Sequence, residues 1–275
     1  MSPFPCVTPR MAGDRARRVN LRCRGGEDVA TGLPFGVAEI LEDVGRPESA
    51  LDVGCGSGRL TVELARRGAA ATGIDTNARQ LDAARERARE TGVEVAFAHG
   101  DMNGPLAFAD AAFGAVTSRL SLMIARDPVA TLREAARVAA PGGAVVTAVW
   151  ARIEENPWFG APRAAVAEAL GLERASFARA FGRLGDAAEL ADLHRQAGLA
   201  DIRSRVLHDE VSAADPEAHW RELVARIGHY TRLDAALTPG ERTRVEGALA
   251  RRLAPFHAEA GLRLPRAMVI VSARA

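Results

Sequence analysis

The chain has 275 residues, and 36 Lys and Arg against 35 Asp and Glu leave a formal net charge of +1. This length is enough for one large domain, and the balanced charge provides no global field that would attract nucleic acid or a membrane surface. The three cysteines have no paired spacing, which argues against a disulfide framework and a structural zinc site. No apolar run approaches the ~18 residues of a membrane span. We therefore expect a cytoplasmic protein without a bound metal.

The N-terminal part of the chain divides into two stretches. Residues 1–28 show no clear periodicity, and we expect a flexible segment. Residues 29–44 carry apolar side chains at helical spacing and are followed by Gly45 and Pro47. This pattern predicts a helix in front of the first strand.

A glycine-rich stretch then follows a short apolar strand predicted over residues 50–53. Gly54, Gly56 and Gly58 alternate with small residues, and a helix is predicted over residues 59–67. Glycines permit backbone angles that other residues avoid, and they let a ligand lie directly on the main chain. The helix that follows directs its N-terminal amides at that ligand.

Several explanations of this turn compete. A phosphate-binding P-loop requires a lysine, and the chain contains none. In a dinucleotide fingerprint the third glycine would come one residue later, at the position of Arg59. The stretch resembles motif I of the class I S-adenosylmethionine (SAM)-dependent methyltransferases. A purely structural strand-to-helix turn is the remaining alternative.

The rest of the chain alternates between strand and helix patterns. Strands are predicted over 70–75, 93–98, 113–118, 144–150, 199–208 and 266–273, and helices over 77–91, 128–140, 162–170, 186–197, 216–233 and 239–260. With the resemblance, this order implies an α/β fold: a Rossmann-like sheet of seven mostly parallel strands, the last antiparallel, with helices on both faces. The domain would span residues 29–275, with helical lid insertions near 154–184 and 214–260.

The resemblance also implies a set of cofactor contacts. Asp75 ends the second strand, where a carboxylate can accept hydrogen bonds from both ribose hydroxyls; a helix N-cap is the alternative. Asp101 would bind the adenine amine and Met102 would pack on the ring, unless this is an ordinary polar turn. The full predicted set is Asp52, Gly54, Cys55, Gly56, Asp75, Thr76, Gln80, Asp101, Met102, Ser118 and Arg119.

Further positions resemble one branch of these enzymes, related to the ubiquinone- and menaquinone-type small-molecule methyltransferases. The resemblance covers about residues 29–210. It rests on the combination of Ser118-Arg119, Met123, Asp127-Pro128, Pro141-Gly142-Gly143, Trp150 and Asn156-Pro157-Trp158. Gly114 departs from the pattern, because family members usually carry aspartate there.

The acceptor site is less well defined by the sequence. Met123, Trp150, Asn156 and Trp158 are candidates for substrate contact. Arg119 could instead pair with an anionic substrate group or the cofactor carboxylate, or form a structural salt bridge. His229 and Tyr230 are weak catalytic candidates, and as neighbours on a helix at most one would face the pocket. A packed or exposed face is the alternative for this pair, and His194 is expected at the surface.

These observations predict transfer of a methyl group from SAM to an O, N or C nucleophile of a small molecule, with S-adenosylhomocysteine as the product. An alternative is a SAM-dependent enzyme of the same fold that does not methylate. Such an enzyme would cyclise SAM and release methylthioadenosine, or catalyse a rearrangement beside bound SAM. A ligand-sensing protein with a dead pocket is disfavoured, because the glycines and Asp75 are intact. We expect a monomer or homodimer that binds neither nucleic acid nor membrane.

Overall fold

A computed structural model describes residues 33–171 and 181–275, together with the backbone of two short strands. These are β1 (Cys23–Arg24) and β2 (Glu27–Asp28), which pair antiparallel. The remainder of the predicted flexible segment 1–28 lies outside the described residues. So do the first four residues of the helix predicted over 29–44 and residues 172–180 of the first predicted lid insertion.

The main sheet has the predicted α/β architecture. Its strands are β3 (Ser49–Val53), β4 (Ala70–Asp75), β5 (Ala96–His99), β6 (Phe113–Arg119), β7 (Ala139–Trp150), β8 (Ala200–Ala213), β9 (His257–Ala258) and β10 (Gly261–Arg274). The order is β5-β4-β3-β6-β7-β10-β8, with β3 to β7 parallel and β10 antiparallel to both neighbours. The predicted fold is confirmed, with β9 added as an eighth strand that pairs with β10.

Helices cover both faces of this sheet. They are α1 (Val37–Val44), α2 (Arg59–Arg66), α3 (Ala78–Thr91), α4 (Pro128–Val138), α5 (Pro157–Leu170), α6 (Ala187–Gln196), α7 (Pro216–Arg226), α8 (Gly228–Ala236) and α9 (Pro239–Leu253). Apolar residues of α1 and α2 pack on one face and those of α4 and α6 on the other. Because side chains alternate along a strand, Val269 and Val271 of β10 join one core, and Met268 and Ile270 join the other.

A third apolar core lies in the lid, where α5, α7, α8 and α9 meet. Val211 of β8 and Leu262 and Leu264 of β10 belong to this core. These two strands therefore extend past the predicted strands 199–208 and 266–273, because the lid buries their far ends. The helix predicted over 239–260 correspondingly ends at Leu253.

Several predicted boundaries were wrong for local backbone reasons. The predicted helix 29–44 begins only at Val37, because Leu33 precedes a proline and Gly36 has a φ of 83°. The predicted helix 216–233 is interrupted at Ile227, whose backbone is extended, and becomes α7 and α8. Helix α5 starts at Pro157 rather than at residue 162, because proline suits the first helical position.

The strand boundaries show smaller differences. Residues 141–143, predicted to close helix α4 before the strand, lie within β7, where its pairing with β6 is irregular. Strand β5 begins at Ala96 and includes His99, so it is shorter than the predicted strand 93–98 at its start and longer at its end. The carboxyl end of β5 therefore lies one residue later than predicted, and Asp101 still follows it.

Candidate active site

The predicted cofactor residues meet at one edge of the sheet. Strands β3, β4, β5 and β6 are parallel and adjacent, so their carboxyl ends lie side by side. In open α/β sheets this edge is where ligands bind. The glycine turn follows β3, Asp75 ends β4, Asp101 follows β5, and Arg119 ends β6.

The glycine turn adopts the backbone conformation for which glycine is suited. Gly54, Gly56 and Gly58 have φ values of 71°, 53° and 73°. The amides of Gly54 and Cys55 both donate to the Ile74 carbonyl, at 2.8 and 2.9 Å, which ties the turn to β4. A Cβ on Gly54 would lie 2.3 Å from the Ser121 Cβ, whereas a Cβ on Gly56 would meet only Gln80 Oε1, at 3.8 Å. Gly56 therefore borders open space.

Asp75 is bound directly to this turn. Its Oδ2 accepts a hydrogen bond from the Gly56 amide at 2.9 Å, and its Oδ1 accepts one from the Asn77 amide at 2.8 Å. The side chain that caps α3 is Asn77, so the N-cap alternative for Asp75 does not hold. Each carboxylate oxygen has further lone pairs, so Asp75 can accept hydrogen bonds from two ligand hydroxyls.

Asp101 and Met102 flank the turn on the β5 side. Asp101 is exposed, and hydrogen bonds from the amide and side chain of Asn103 lower the pKa of its carboxyl. The Met102 Cε lies 3.4 Å from the position of a Gly54 Cβ, so this side chain abuts the turn. An acceptor group and an apolar side chain thus stand together, as an amino-purine ring requires.

Comparison with known proteins agrees with this geometry. Residues 51–147, which run from β3 into β7, match the methyltransferase domain family. This part of the chain is similar to that family. The predicted resemblance is thereby confirmed for the part of the chain that holds the glycine turn, Asp75 and Asp101.

The relatives that this part of the chain resembles include a ubiquinone biosynthesis O-methyltransferase from Alkalilimnicola ehrlichii. That protein is 38% identical over 107 residues, 39% of this chain. The match spans 42% of the relative, so the chain covers less than half the length of that protein.

Solved structures share the fold of nearly the whole chain. A methyltransferase-type protein from Bacillus halodurans C-125 has a TM-score of 0.59 and 17% identity, covering 87% of this chain and 98% of its own. A Haemonchus contortus phosphoethanolamine N-methyltransferase in complex with SAM has a TM-score of 0.52 and 17% identity, covering 86% of this chain and 51% of its own. Identities this low show likeness of fold alone.

Two predicted contacts, Asp52 and Ser118, lie behind the glycine turn instead of on its open side. Asp52 is buried, and its carboxylate accepts hydrogen bonds from the hydroxyls of Thr61 (2.7 Å) and Thr117 (3.1 Å). Burial raises the pKa of Asp52 to about 6. Ser118 is also buried, and its hydroxyl shares a 2.6 Å hydrogen bond with Ser121, which in turn bonds the Val53 carbonyl.

The other predicted cofactor residues differ in exposure and in their partners. Thr76 and Gln80 are exposed near the start of α3. Cys55 is half-buried, and burial raises the pKa of its thiol. Arg119 donates from Nε and Nη2 to the Phe35 carbonyl at 3.2 and 2.9 Å, and burial lowers the pKa of its guanidinium to about 10.

The four residues predicted to contact the substrate differ in exposure. Met123, Trp150 and Trp158 are half-buried, as a pocket wall requires. Asn156 is wholly buried, and its Nδ2 donates to the carbonyls of Ala151, Arg152 and Ala267 while its Oδ1 accepts from Ala267 and Trp158. The predicted substrate contact of Asn156 is therefore wrong, because its amide holds the lid to the sheet.

The predicted catalytic pair is part of the lid core. Tyr230 is wholly buried against Phe159 and Trp220, and burial raises the pKa of its hydroxyl. In this arrangement Tyr230 is not placed to contact the reactants. It has the packed face that was the alternative to a catalytic role. His229 is half-buried beside the same rings, and burial lowers the pKa of its imidazole.

Other residues of the site were missed or misplaced. Phe35, whose carbonyl Arg119 binds, had no distinguishing sequence signal, and Ser121 was only one of several residues after β6. His194 was expected at the surface but is wholly buried, because it bonds Thr147 across the interface of α6 and β7.

Metal sites and membrane spans are not found among the described residues. Among them we find no group of three or more His, Cys, Asp and Glu side chains placed to hold a metal ion. Within the same ranges, every helix is too short or too polar to cross a bilayer.

Proposed function

We propose that this chain transfers the methyl group of SAM to a small-molecule acceptor in the cytoplasm. The observation that carries the proposal is the bond between Asp75 and the Gly56 amide beside open space. This arrangement offers a carboxylate for two ribose hydroxyls and a bare backbone on which the ribose and methionine parts can lie. Asp101 and Met102 at the next strand suit the adenine. The relatives' names support the reaction type.

Bound SAM supplies a methyl carbon that its sulfonium has already activated. The acceptor's nucleophile forms a bond to this carbon as the carbon–sulfur bond breaks, and the electron pair stays on sulfur in S-adenosylhomocysteine. The protein has to align the reactants and exclude water, and such alignment contributes about 7–11 kcal/mol. The buried placement of Tyr230 fits this scheme, because an acceptor that is deprotonated in solution needs no protein base.

We further propose a role for Arg119 in this site. Two of its donors bind the Phe35 carbonyl, which leaves Nη1 as a donor for a ligand. In the parallel register of β3 and β6, Asp52 is opposite Thr117, so Arg119 stands beside Gly54. The carboxylate of the methionine part of SAM is the group that would lie there.

Product identity tests the proposed reaction. The protein is incubated with SAM and a panel of phenols, amines and carboxylic acids, and the products are measured by mass spectrometry. We expect S-adenosylhomocysteine with a methylated acceptor, both lost in Asp75→Ala and kept in Asp192→Ala, an exposed aspartate on α6. Methylthioadenosine as the product, or full turnover by Asp75→Ala, would contradict the proposal.

A further inference from the structure

Five aromatic side chains gather where β7 ends. Phe35, Trp150, Phe181 and Phe159 form a column in which successive ring planes make angles of 25°, 13° and 6°. Trp158 leans against this column, with its ring centroid 5.2 Å from that of Trp150 and the planes at 59°. The column connects the residues before α1, the sheet edge and the lid.

Within this cluster the two tryptophans differ from the phenylalanines in exposure. Phe35, Phe159 and Phe181 are buried, whereas Trp150 and Trp158 are each only half-buried. Trp150 ends β7, and β6 separates β7 from β3, so Trp150 lies two strand spacings, about 10 Å, from the glycine turn. Trp150 is thus a half-buried aromatic side chain of this cluster at the edge of the candidate site, and Trp158 contacts it.

Hydrogen bonds hold Trp158 in place from both ends. Its indole Nε1 donates to Asn156 Oδ1 at 3.0 Å, so the ring offers a ligand its face and no free donor. Its backbone carbonyl would normally accept from the amide of residue 162, but Pro162 has no N–H. His219 of α7 fills this gap, with its Nε2 2.6 Å from the Trp158 oxygen.

The geometry of His219 fixes its tautomer. A carbonyl only accepts, so Nε2 carries a proton, and in the neutral ring Nδ1 then has none. Nδ1 is buried without a hydrogen-bond partner, and burial lowers the pKa of the imidazole. His219 is therefore a neutral donor that joins α7 of the lid to the tryptophan at the site.

The charges beside this cluster restrict the ligand. The Arg266 guanidinium lies 4.5 Å from the centre of the Phe35 ring, and Arg119 binds the carbonyl of the same residue. Arg266 is paired with buried Asp209. Because Asp209 neutralises Arg266, the charge that restricts the ligand is the Arg119 guanidinium, which disfavours a cationic ligand and favours a neutral or anionic one.

We propose that Trp150 and Trp158 form the wall that receives the acceptor, that the acceptor is a planar aromatic compound without positive charge, and that His219 is a positioning residue for this wall. The proposal rests on the proposed function, because it assigns the acceptor of that reaction. In this proposal the hydrogen bond from His219 to the Trp158 carbonyl connects α7 to the acceptor site.

The wall is tested by the binding of two carboxylates, measured by equilibrium dialysis in the presence of saturating S-adenosylhomocysteine. The probe is 1-naphthoate, and cyclohexanecarboxylate is its non-planar control. We expect 1-naphthoate to bind about tenfold more tightly, and Trp158→Leu to remove this preference. Trp220→Phe, which alters a buried tryptophan bonded to Asp234, is expected to leave it unchanged.

A second series tests His219. We expect His219→Leu to weaken 1-naphthoate binding about fivefold through loss of one hydrogen bond. Pro162→Ala returns an N–H to the Trp158 carbonyl, so the double variant His219→Leu with Pro162→Ala is expected to recover most of the wild-type affinity. Recovery of 1-naphthoate affinity in the double variant is expected only if His219 acts by binding the Trp158 carbonyl.

Several results would overturn the assignment. These are equal binding of the two carboxylates by the wild-type protein, unchanged preference in Trp158→Leu, and no recovery in the double variant while S-adenosylhomocysteine still binds. Normal 1-naphthoate preference in a protein that binds no S-adenosylhomocysteine would instead contradict the proposed function and leave the wall supported.

Discussion

The carboxylates of Asp75 and Asp52 differ in exposure and in hydrogen-bond partners. Asp75 is held by two backbone amides at the open side of the glycine turn, whereas Asp52, one strand away, is buried under two threonine hydroxyls. The resemblance implies that both are cofactor contacts, Asp52 in the glycine-rich stretch and Asp75 at the end of the next strand. Only the packing of β3 between β4 and β6 separates a carboxylate at the open side of the turn from one that is buried behind it.

Arg119→Gln is expected to distinguish ligands that carry a carboxylate from one that does not. A charge-assisted hydrogen bond contributes about 1.5–3 kcal/mol, so binding of S-adenosylhomocysteine should weaken at least tenfold. Methylthioadenosine lacks the amino-acid part, and its dissociation constant should not change. Calorimetric titration of both ligands measures this. Equal weakening for the two ligands would show that Arg119 acts only through Phe35.

The raised pKa of Asp52 predicts that the folded protein becomes more stable, relative to the unfolded chain, as this carboxyl is protonated. Its pKa is raised from 3.8 to about 6 on folding, so the folded protein binds the proton more tightly than the unfolded chain does. The resulting stability is fully present below about pH 3.8 and is lost as the pH rises through about 6. A shift of this size corresponds to about 3 kcal/mol.

Asp52→Asn removes this contribution and keeps a side chain that can bond both threonines. Between pH 7 and pH 4, the free energy of unfolding of the variant should fall by about 3 kcal/mol more than that of the wild-type protein. Urea unfolding at each pH measures the difference. Parallel curves for the two proteins would mean that the pKa of Asp52 is the same in the folded and the unfolded state.

At the scale of elements, His194 shows how a helix is fastened to the sheet. Its Nδ1 donates to the Leu190 carbonyl at 2.8 Å, so Nε2 accepts the hydrogen bond from the Thr147 hydroxyl at 3.0 Å. Burial lowers the pKa of this imidazole to about 4. The bond joins α6 to β7 inside the core.

Thr147→Val is expected to lower the free energy of unfolding by about 1–3 kcal/mol, because it leaves the buried Nε2 without a donor. The double variant with His194→Leu should cost less than the sum of the single variants, since no polar atom is then left unpaired. Chemical denaturation of the four proteins completes the cycle. Strict additivity would contradict a direct bond between the two side chains.

The bounds of some elements could be predicted from local sequence patterns alone. Strand β4 was predicted with its observed bounds, and α6 begins after Asp186 as expected. The lid was predicted less well, because its boundaries depend on tertiary contacts. Ile227 interrupts one predicted helix without a proline, and β8 and β10 are long because the lid covers their ends.

For the whole molecule, a mostly parallel sheet with an antiparallel last strand was predictable, and the glycine turn and Asp75 lie at its carboxyl edge as expected. The acceptor side was not predictable in the same way. Burial of Asn156, Tyr230 and His194 depends on contacts between residues far apart in the chain. A sequence pattern shows that such residues can do chemistry, but only packing shows whether they reach a ligand.

The central claim is that Asp75 and the glycine turn bind the ribose of SAM. It is tested most directly by calorimetric titration with S-adenosylhomocysteine of wild-type protein, Asp75→Ala and the surface control Asp192→Ala. We predict that Asp75→Ala loses about 1.5–3 kcal/mol for each hydrogen bond removed, while the control binds like the wild-type protein. Unchanged affinity in Asp75→Ala, or no binding by the wild-type protein, would contradict the account.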